Sequence, residues 1–220
     1  MIQAVIFDLD GVIVSTDECH YQAWKALADR EGIPFSRRDN HRLRGVSRME
    51  SLAIVLEKAK RSYSNEEKRG MAAYKNELYV RLINELTPDD LLPGAQSAAV
   101  RLRGMGIKTA IGSSSKNAPA ILEHLGITRL FDAVADGNGI KRSKPAPDAF
   151  LLAAKMLRIS PEHCLVVEDA VAGVDAAINA GMGCIGLGDA KRHPGVLVGA
   201  EALGVFDLPV WVALHNTKTT

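Results

Sequence analysis

The sequence predicts an α/β protein: an open sheet of parallel strands interleaved with helices, interrupted after its first strand by a wholly helical insertion. Three observations carry that expectation. Short apolar, partly β-branched runs end repeatedly in a polar cluster, as strands buried on both faces of a parallel sheet do at their carboxyl ends. Between them lie helix-length stretches with apolar residues on one face, several stopped by Gly. From about residue 15 to 90 the β-branched runs disappear and only the helical spacing remains.

In chain order, Ala4-Val5-Ile6-Phe7 is the first strand and closes in Asp8-Leu9-Asp10-Gly11. Within the insertion, Tyr21, Trp24, Leu27 and Ala28 mark one helical face. Leu52, Val55, Leu56 and Ala59 mark a second, and Met71, Tyr74, Leu78 and Leu82 a third. The turn formers Thr87-Pro88-Asp89-Asp90 and Pro93-Gly94 end the insertion. Further strands are expected at Ile107 to Ile111, Phe131 to Ala135, Leu165 to Val167 and Cys184 to Leu187, with helices near 95–103, 117–125, 147–157 and 170–180. Ligands of such a sheet sit beyond the strand carboxyl ends, so each polar strand end is a candidate site. Residues from about 189 onward carry no pattern to which a function attaches, and the last few of the tail His215 to Thr220 are expected to fray.

Composition narrows the function. The chain has 220 residues, 47% of them hydrophobic and 24% charged, enough for one domain with a sizeable insertion. With 27 Lys and Arg against 26 Asp and Glu it lacks the strongly basic footprint of a nucleic-acid or membrane-surface protein, and small-molecule chemistry is left. Cys19, Cys164 and Cys184 are odd in number, far apart and without a CxxC pair, which argues against a disulfide scaffold or zinc ribbon and for a cytoplasmic protein. The opening MIQAVIFDLDGV reads as a buried strand rather than a signal peptide, and no apolar run approaches the roughly 20 residues of a membrane span.

Two carboxylates two residues apart at a strand end, Asp8 and Asp10, can face one cavity, one attacking while the other moves a proton. A carboxylate nucleophile suits phosphoryl transfer, because it divides one difficult displacement into two easier ones. That chemistry needs cations. Glu168 and Asp169 offer the hard oxygens that Mg2+ prefers, and Lys144, in Ser143-Lys144-Pro145, offers a positive charge. Ser113, Ser114 and Ser115, followed by Lys116 and Asn117 where a helix should start, offer donors for a phosphate. Each group also has an ordinary reading: Asp-x-Asp-Gly as a turn, Glu-Asp as a solvated pair, the serines as caps, Lys-Pro as an exposed turn. Their joint order, each after an expected strand, favours a converging site.

Phe7-Asp8-Leu9-Asp10-Gly11-Val12, a serine after the next sheet strand, Lys144-Pro145 and Glu168-Asp169 resemble, over essentially the whole chain, the four signature motifs of the haloacid dehalogenase superfamily. The insertion after the first motif is similar to the helical cap of one subclass. This resemblance implies a Rossmann-like (HAD-like) parallel-sheet core of residues 1–14 and 91–220 with an inserted helical cap domain of residues 15–90. Thr16, His20, Trp24, Gly45-Val46-Ser47-Arg48, Lys75-Asn76 and Ser113 through Asn117 are similar to the pattern of its sugar-phosphate mutases.

The resemblance implies that Asp8 is the nucleophile that becomes phosphorylated and Asp10 the general acid and base. One Mg2+ would be held by the Asp8 carboxylate, the Asp10 backbone carbonyl and Asp169, with Glu168 ligating directly or through water. Ser113 and Lys144 would hold the transferring phosphoryl oxygens. Arg48 would clamp a distal phosphate, with Gly45, Val46, Ser47, Ser51, Lys75, Ser114, Ser115, Lys116 and Asn117 around it and the sugar. A fork-shaped guanidinium suits that task, although residues 37–48, with five Arg and one Asp, also read as a solvated basic face. His20 would hydrogen-bond near Asp10 and couple cap closure to it, where its position alone suggests packing or capping. Trp24 reads as core at least as readily as sugar contact. Thr16 would be the hinge into the cap and Gly94 the hinge out, while Ser15 stands where many relatives carry an acid.

The activity implied is interconversion of β-D-glucose 1-phosphate and D-glucose 6-phosphate through a phosphoaspartate, with glucose 1,6-bisphosphate as activating intermediate. A monomer acting on sugar phosphates, with no nucleic-acid or membrane partner, is expected. A phosphatase of the same superfamily shares every core motif and differs in how the cap treats water. A silent binding protein on the same fold is disfavoured by the intact set Asp8, Asp10, Ser113, Lys144 and Asp169.

Overall fold

A computed structural model describes residues 1–217. Among these, six parallel strands form one sheet in the order β3-β2-β1-β4-β5-β6. They are β1 (Ala4–Phe7), β2 (Lys108–Gly112), β3 (Ala133–Ala135), β4 (Cys164–Glu168), β5 (Gly183–Leu187) and β6 (Val198–Ala200). β1 is central and fully buried, and its side chains alternate between the two faces. Val5 and Phe7 enter one apolar cluster, Ala4 and Ile6 the other. The chain runs from β1 outward through β2 to β3, then returns to the other side of β1 at β4. A crevice forms at such a reversal, beyond the strand ends, and here those ends are Asp8, Ser113 and Glu168.

Four helices follow β1: α1 (Asp17–Arg30), α2 (Arg37–His41), α3 (Arg48–Leu56) and α4 (Asn65–Ile83). They enclose an apolar cluster of their own around Trp24, Leu27, Leu52, Val55 and Met71. Serine capping boxes start three of them, Ser36 with Asp39, Ser47 with Glu50 and Ser64 with Glu67, so local sequence determines where each begins. Val14 pairs antiparallel with Leu91, and the Leu92 amide donates to the Ile13 carbonyl at 2.9 Å, so the two chain crossings between helical unit and sheet lie side by side. Ala23, Tyr79 and Ile83 of this unit pack into the sheet's cluster with Leu9 and Val12 to Val14, which keeps α1 and the end of α4 on the core.

The remaining helices are α5 (Ala95–Gly104), α6 (Ala118–His124), α7 (Asp148–Leu157), α8 (Val171–Asn179) and α9 (Leu208–Thr217). The region after 189, to which the sequence attaches no function, contains β6 and α9. β6 is only Val198-Gly199-Ala200 at the sheet edge, too short to carry a period, and it exists through its register with Ile185 to Leu187. α9 is anchored, not frayed: Asn216 donates to the Ile2 carbonyl at 3.0 Å and accepts from its amide at 2.6 Å, while Trp211 stacks on His215. The rest of that expectation, residues 218–220, lies outside the described residues. The three cysteines are unpaired, and no helix among the described residues is long and apolar enough to cross a membrane.

Candidate active site

The end of β1 places Asp8 between the ends of β2 and β4, and the Asp8 amide donates to the Val167 carbonyl at 2.9 Å. Lys144 arrives from the loop before α7, almost fully buried, and its Nζ lies 2.6 Å from Asp8 Oδ1 and 2.7 Å from Glu168 Oε2. Burial alone would weaken its hold on a proton, but these two carboxylates outweigh burial and hold the ammonium above its ordinary value. The other oxygen of Glu168 accepts from the amides of Asp169 (3.1 Å) and Ala170 (3.0 Å), so Glu168 is locked at the start of α8. Gly173 makes room for it, since a Cβ there would lie 2.0 Å from the Glu168 carboxyl carbon.

Asp8, Glu168 and Asp169 bring ligand oxygens within 4.8 Å of one another. Burial and mutual repulsion push the carboxyls of Glu168 and Asp169 upward, and Lys144 offsets only part of this. An all-oxygen set with surplus negative charge fits a hard divalent cation, so the residues present fit Mg2+. Gly11, at φ 78°, faces Asp169 so closely that a Cβ would stand 2.0 Å from its Oδ2; only glycine fits that turn. Asp10 is pushed up to about 6 by burial and by Asp8, which suits a group that both gives and takes a proton.

The hydroxyl on Asp10 is Thr16, which donates to Asp10 Oδ1 and accepts from the Tyr79 hydroxyl at 3.2 Å. This differs from the expectation for His20, whose Nδ1 lies 2.9 Å from Lys75 Nζ and whose ring lies against Tyr79. The difference follows from burial. Inside the helical unit Lys75 is 2% exposed and has no carboxylate beside it, so the imidazole nitrogen is its hydrogen-bond acceptor. Both groups accordingly favour neutrality, His20 falling well below its usual value. Trp24 is buried in the helical cluster, as its core reading expects, and its ring faces Lys75 Nζ at 4.9 Å.

Burial, and next the neighbouring Arg48, lowers the Lys75 ammonium from 10.5 to about 7. Its folded value thus lies below its unfolded one, and between these two pH values the unfolded chain holds more protons, so this group adds stability as pH rises through that window. Urea unfolding from pH 7 toward 10 should therefore show Lys75→Met gaining on the wild type at pH 7, by on the order of a few kcal/mol, with the gap closing as pH rises. The difference between the two proteins is the readout, because buried Cys164 and Cys184 act in the opposite sense above about 9.

One cleft of about 600 Å³ joins these groups to the helical unit. Its wall holds Gly45, Val46, Ser47, Arg48, Ser51 and Lys75 on one side and Ser113 to Asn117 with Lys144 on the other. Gly45, at φ 75°, turns the chain into α3. The Ser47 hydroxyl accepts from the Glu50 amide and caps that helix, so this side chain fixes where α3 and Arg48 begin. Ser51 is buried on α3. Ser113 Oγ accepts from the Ser115 amide and Ser115 Oγ from the Asn117 amide, so both hydroxyls shape the turn and keep a proton to donate. Ser114 Oγ is buried without a partner among the described residues. Lys116 is exposed at the rim, and Asn117 donates to Asn76 Oδ1 at 3.2 Å across the cleft. Ser15 is exposed beside Thr16.

The basic run divides by role. Arg37 pairs with Glu18, Arg42 with Glu57, and Arg44 with Asp17 and Asp189, whereas half-buried Arg48 has no hydrogen-bond or ion-pair partner among the described residues. Thr16 as the partner of Asp10, Tyr79 behind it, and Arg44 with Asp189 escape sequence reasoning, the first because it depends on how the chain turns after Asp10 and the other two because they pair distant segments. The only sequence signal for Arg44 is the excess of arginine itself.

A parallel sheet with an aspartate pair at its central strand end, a lysine from a following loop and an acidic pair on the next strand defines a phosphoryl-transfer site built on carboxylates. The family model of haloacid dehalogenase-like hydrolases matches residues 2–181, and the chain belongs to that family. Over 192 residues it is 46% identical to the β-phosphoglucomutase of Bacillus subtilis, an alignment covering 86% of this chain and 85% of that protein. It is 33% identical to the fructose-1-phosphate phosphatase of Escherichia coli over 82% of this chain and 94% of the other. The crystal structure of a β-phosphoglucomutase from Clostridium difficile superposes with a TM-score of 0.93 at 41% identity, covering all of this chain and 99% of that one.

Proposed function

We propose that the protein is a phosphomutase that interconverts β-D-glucose 1-phosphate and D-glucose 6-phosphate. The observation that carries this reading is a pair of basic side chains across the cleft from the Asp8 centre. Arg48 and Lys75, in the helical unit, have no carboxylate partner and share one cleft with the Asp8 centre. A mutase must hold two phosphates at once, one reacting and one parked, whereas a phosphatase needs only the reacting one. The likeness to the bacterial mutase supports the same conclusion.

In this reading Asp8 carries the phosphoryl group and Asp10 takes the proton from the sugar 6-hydroxyl as that oxygen attacks phosphorus. The resulting β-glucose 1,6-bisphosphate turns around and returns its 1-phosphoryl to Asp8, with Asp10 now donating the proton. Ser113 and Lys144 hold the moving phosphoryl oxygens, and Arg48 with Lys75, Ser115, Lys116 and Asn117 holds the other end. Asp8, Asp169 and the Asp10 backbone carbonyl, with Glu168, would hold Mg2+, which when bound neutralises phosphoryl charge. Residues 15–90 act as a cap that excludes water from the phosphoaspartate, and Thr16 and Gly94 serve as its hinges. The protein acts in the cytoplasm as a monomer on small sugar phosphates, primed by glucose 1,6-bisphosphate.

Incubation with Mg2+, β-glucose 1-phosphate and a trace of glucose 1,6-bisphosphate, following glucose 6-phosphate and free phosphate separately, tests this. Glucose 6-phosphate with little free phosphate is expected. Free phosphate in step with substrate loss would instead make the protein a phosphatase, as its relative in Escherichia coli is. Arg48→Ala should lower kcat/KM for the mutase reaction by about 10- to 100-fold, the worth of charge-assisted hydrogen bonds to one phosphate, while slow hydrolysis changes much less. Equal losses in both reactions would mean that Arg48 does not serve a parked phosphate.

A further inference from the structure

The helical unit is tied to the sheet at the margin of the cleft, where Arg44 lines its wall. Asp189 stands on the short 3-10 turn Gly188–Arg192 after β5, and a histidine and an arginine side chain from the helical unit converge on one of its oxygens. His41 Nε2, at the end of α2, lies 2.9 Å from Asp189 Oδ2, and Arg44 Nη1 lies 3.3 Å from the same atom. Arg44 Nε also donates to Asp17 Oδ1 at 3.2 Å, and the Asn40 amide nitrogen donates to that oxygen at 3.1 Å. The contact is thus braced against the start of α1, next to the chain crossing. Neither His41 nor Asp189 lines the cleft.

We propose that Asp189 is the core anchor of a clasp, formed with His41 and Arg44, that favours the closed cap and thereby sets how the phosphoaspartate divides between sugar and water. The second half of this inference rests on the mutase reading. The clasp is built to be weak: the side chains of His41 and Asp189 are 59% and 60% exposed, and ion pairs that open to solvent are worth little and are screened by salt. Weakness is what a cap needs, since it must open for substrate to enter and for the bisphosphate to turn around. In the closed state the sugar hydroxyl attacks phosphorus. In the open state water does so, breaking the bond between phosphorus and the Asp8 oxygen and leaving free carboxylate and inorganic phosphate. Asp189 is therefore a positioning residue that touches no reacting atom.

Two measurements on the full chain decide the matter. Small-angle scattering of the free protein at low salt should give a larger radius of gyration for Asp189→Asn than for the wild type. In about 1 M NaCl, where the screening length is ~3 Å, the wild type should expand toward the variant and the variant should stay where it is. No difference between the two proteins overturns the clasp. With Mg2+, β-glucose 1-phosphate and a trace of glucose 1,6-bisphosphate, Asp189→Asn and His41→Asn should each raise the ratio of free phosphate to glucose 6-phosphate by about two- to fivefold. The double variant should add little beyond either single change. A wild-type mutase whose ratio neither substitution moves overturns the role in partition. A wild type that makes no glucose 6-phosphate overturns the mutase reading and the partition role with it, while scattering still decides the clasp.

Discussion

Asp8→Asn is expected to abolish turnover, with losses on the order of 10⁴-fold or more in both sugar-phosphate isomerisation and hydrolysis, because both pass through the same carboxylate. An amide of the same shape cannot displace a phosphoryl group. The fold should not suffer. Asp8, Asp10, Glu168 and Asp169 set four carboxyls around the single ammonium of Lys144, and Asp8 contributes to raising the other three. Removing its charge relieves repulsion while Lys144 keeps its 2.7 Å contact to Glu168. The Mg2+-free variant should therefore melt at or above the wild-type temperature. Acid-quenched labelling with glucose 1,6-bisphosphate checks the chemistry: the wild type should retain the phosphoryl group on the protein and Asp8→Asn should not. Labelling that persists in the variant would place the nucleophile elsewhere.

Lys144→Met should have the largest effect on stability. Its ammonium is buried with both partners, and breaking such a pair from one side costs about 3–5 kcal/mol, since the charge left behind has no compensation. The carboxyls left behind escape this cost by taking up protons. Their folded values rise further above the unfolded ones, so the deficit should be small in acid and grow as pH increases toward neutrality. Urea unfolding without Mg2+ at several pH values reads this directly, and Mg2+ should restore part of the loss by supplying positive charge to the same oxygens. Lys144→Met/Glu168→Gln should recover much of the stability, because one of the stranded charges leaves with its partner. Activity should stay low in both variants, by about 10²- to 10³-fold, for want of the cation that faces the moving phosphoryl group. A single variant as stable as the wild type across pH would mean that the carboxyls are already neutral in the native protein.

Asp189 and Asp8 illustrate two kinds of information in this chain. Asp8, Asp10, Ser113, Glu168 and Asp169 were legible because each sits at or just past a short apolar run, and a parallel sheet directs all strand ends to one side; Lys144, in a polar loop, was legible through its Lys-Pro motif and its order between two such strands. The capping boxes of α2, α3 and α4 are local in the same way. By itself the sequence determined the strand-and-helix alternation, the helical interruption after β1, and the chemical identity of the aspartyl centre. The tertiary structure alone decided β6, the anchoring of α9, the hydroxyl that Asp10 meets, the pairing of Lys75 with His20, and the partition of five neighbouring arginines into three with carboxylate partners, one at the surface and one left open to the cleft. The physical reason is range. Propensity and periodicity act over a few residues and are written in them, whereas a hydrogen bond or ion pair between segments more than a hundred residues apart, such as that of His41 with Asp189, exists only once the whole chain has packed.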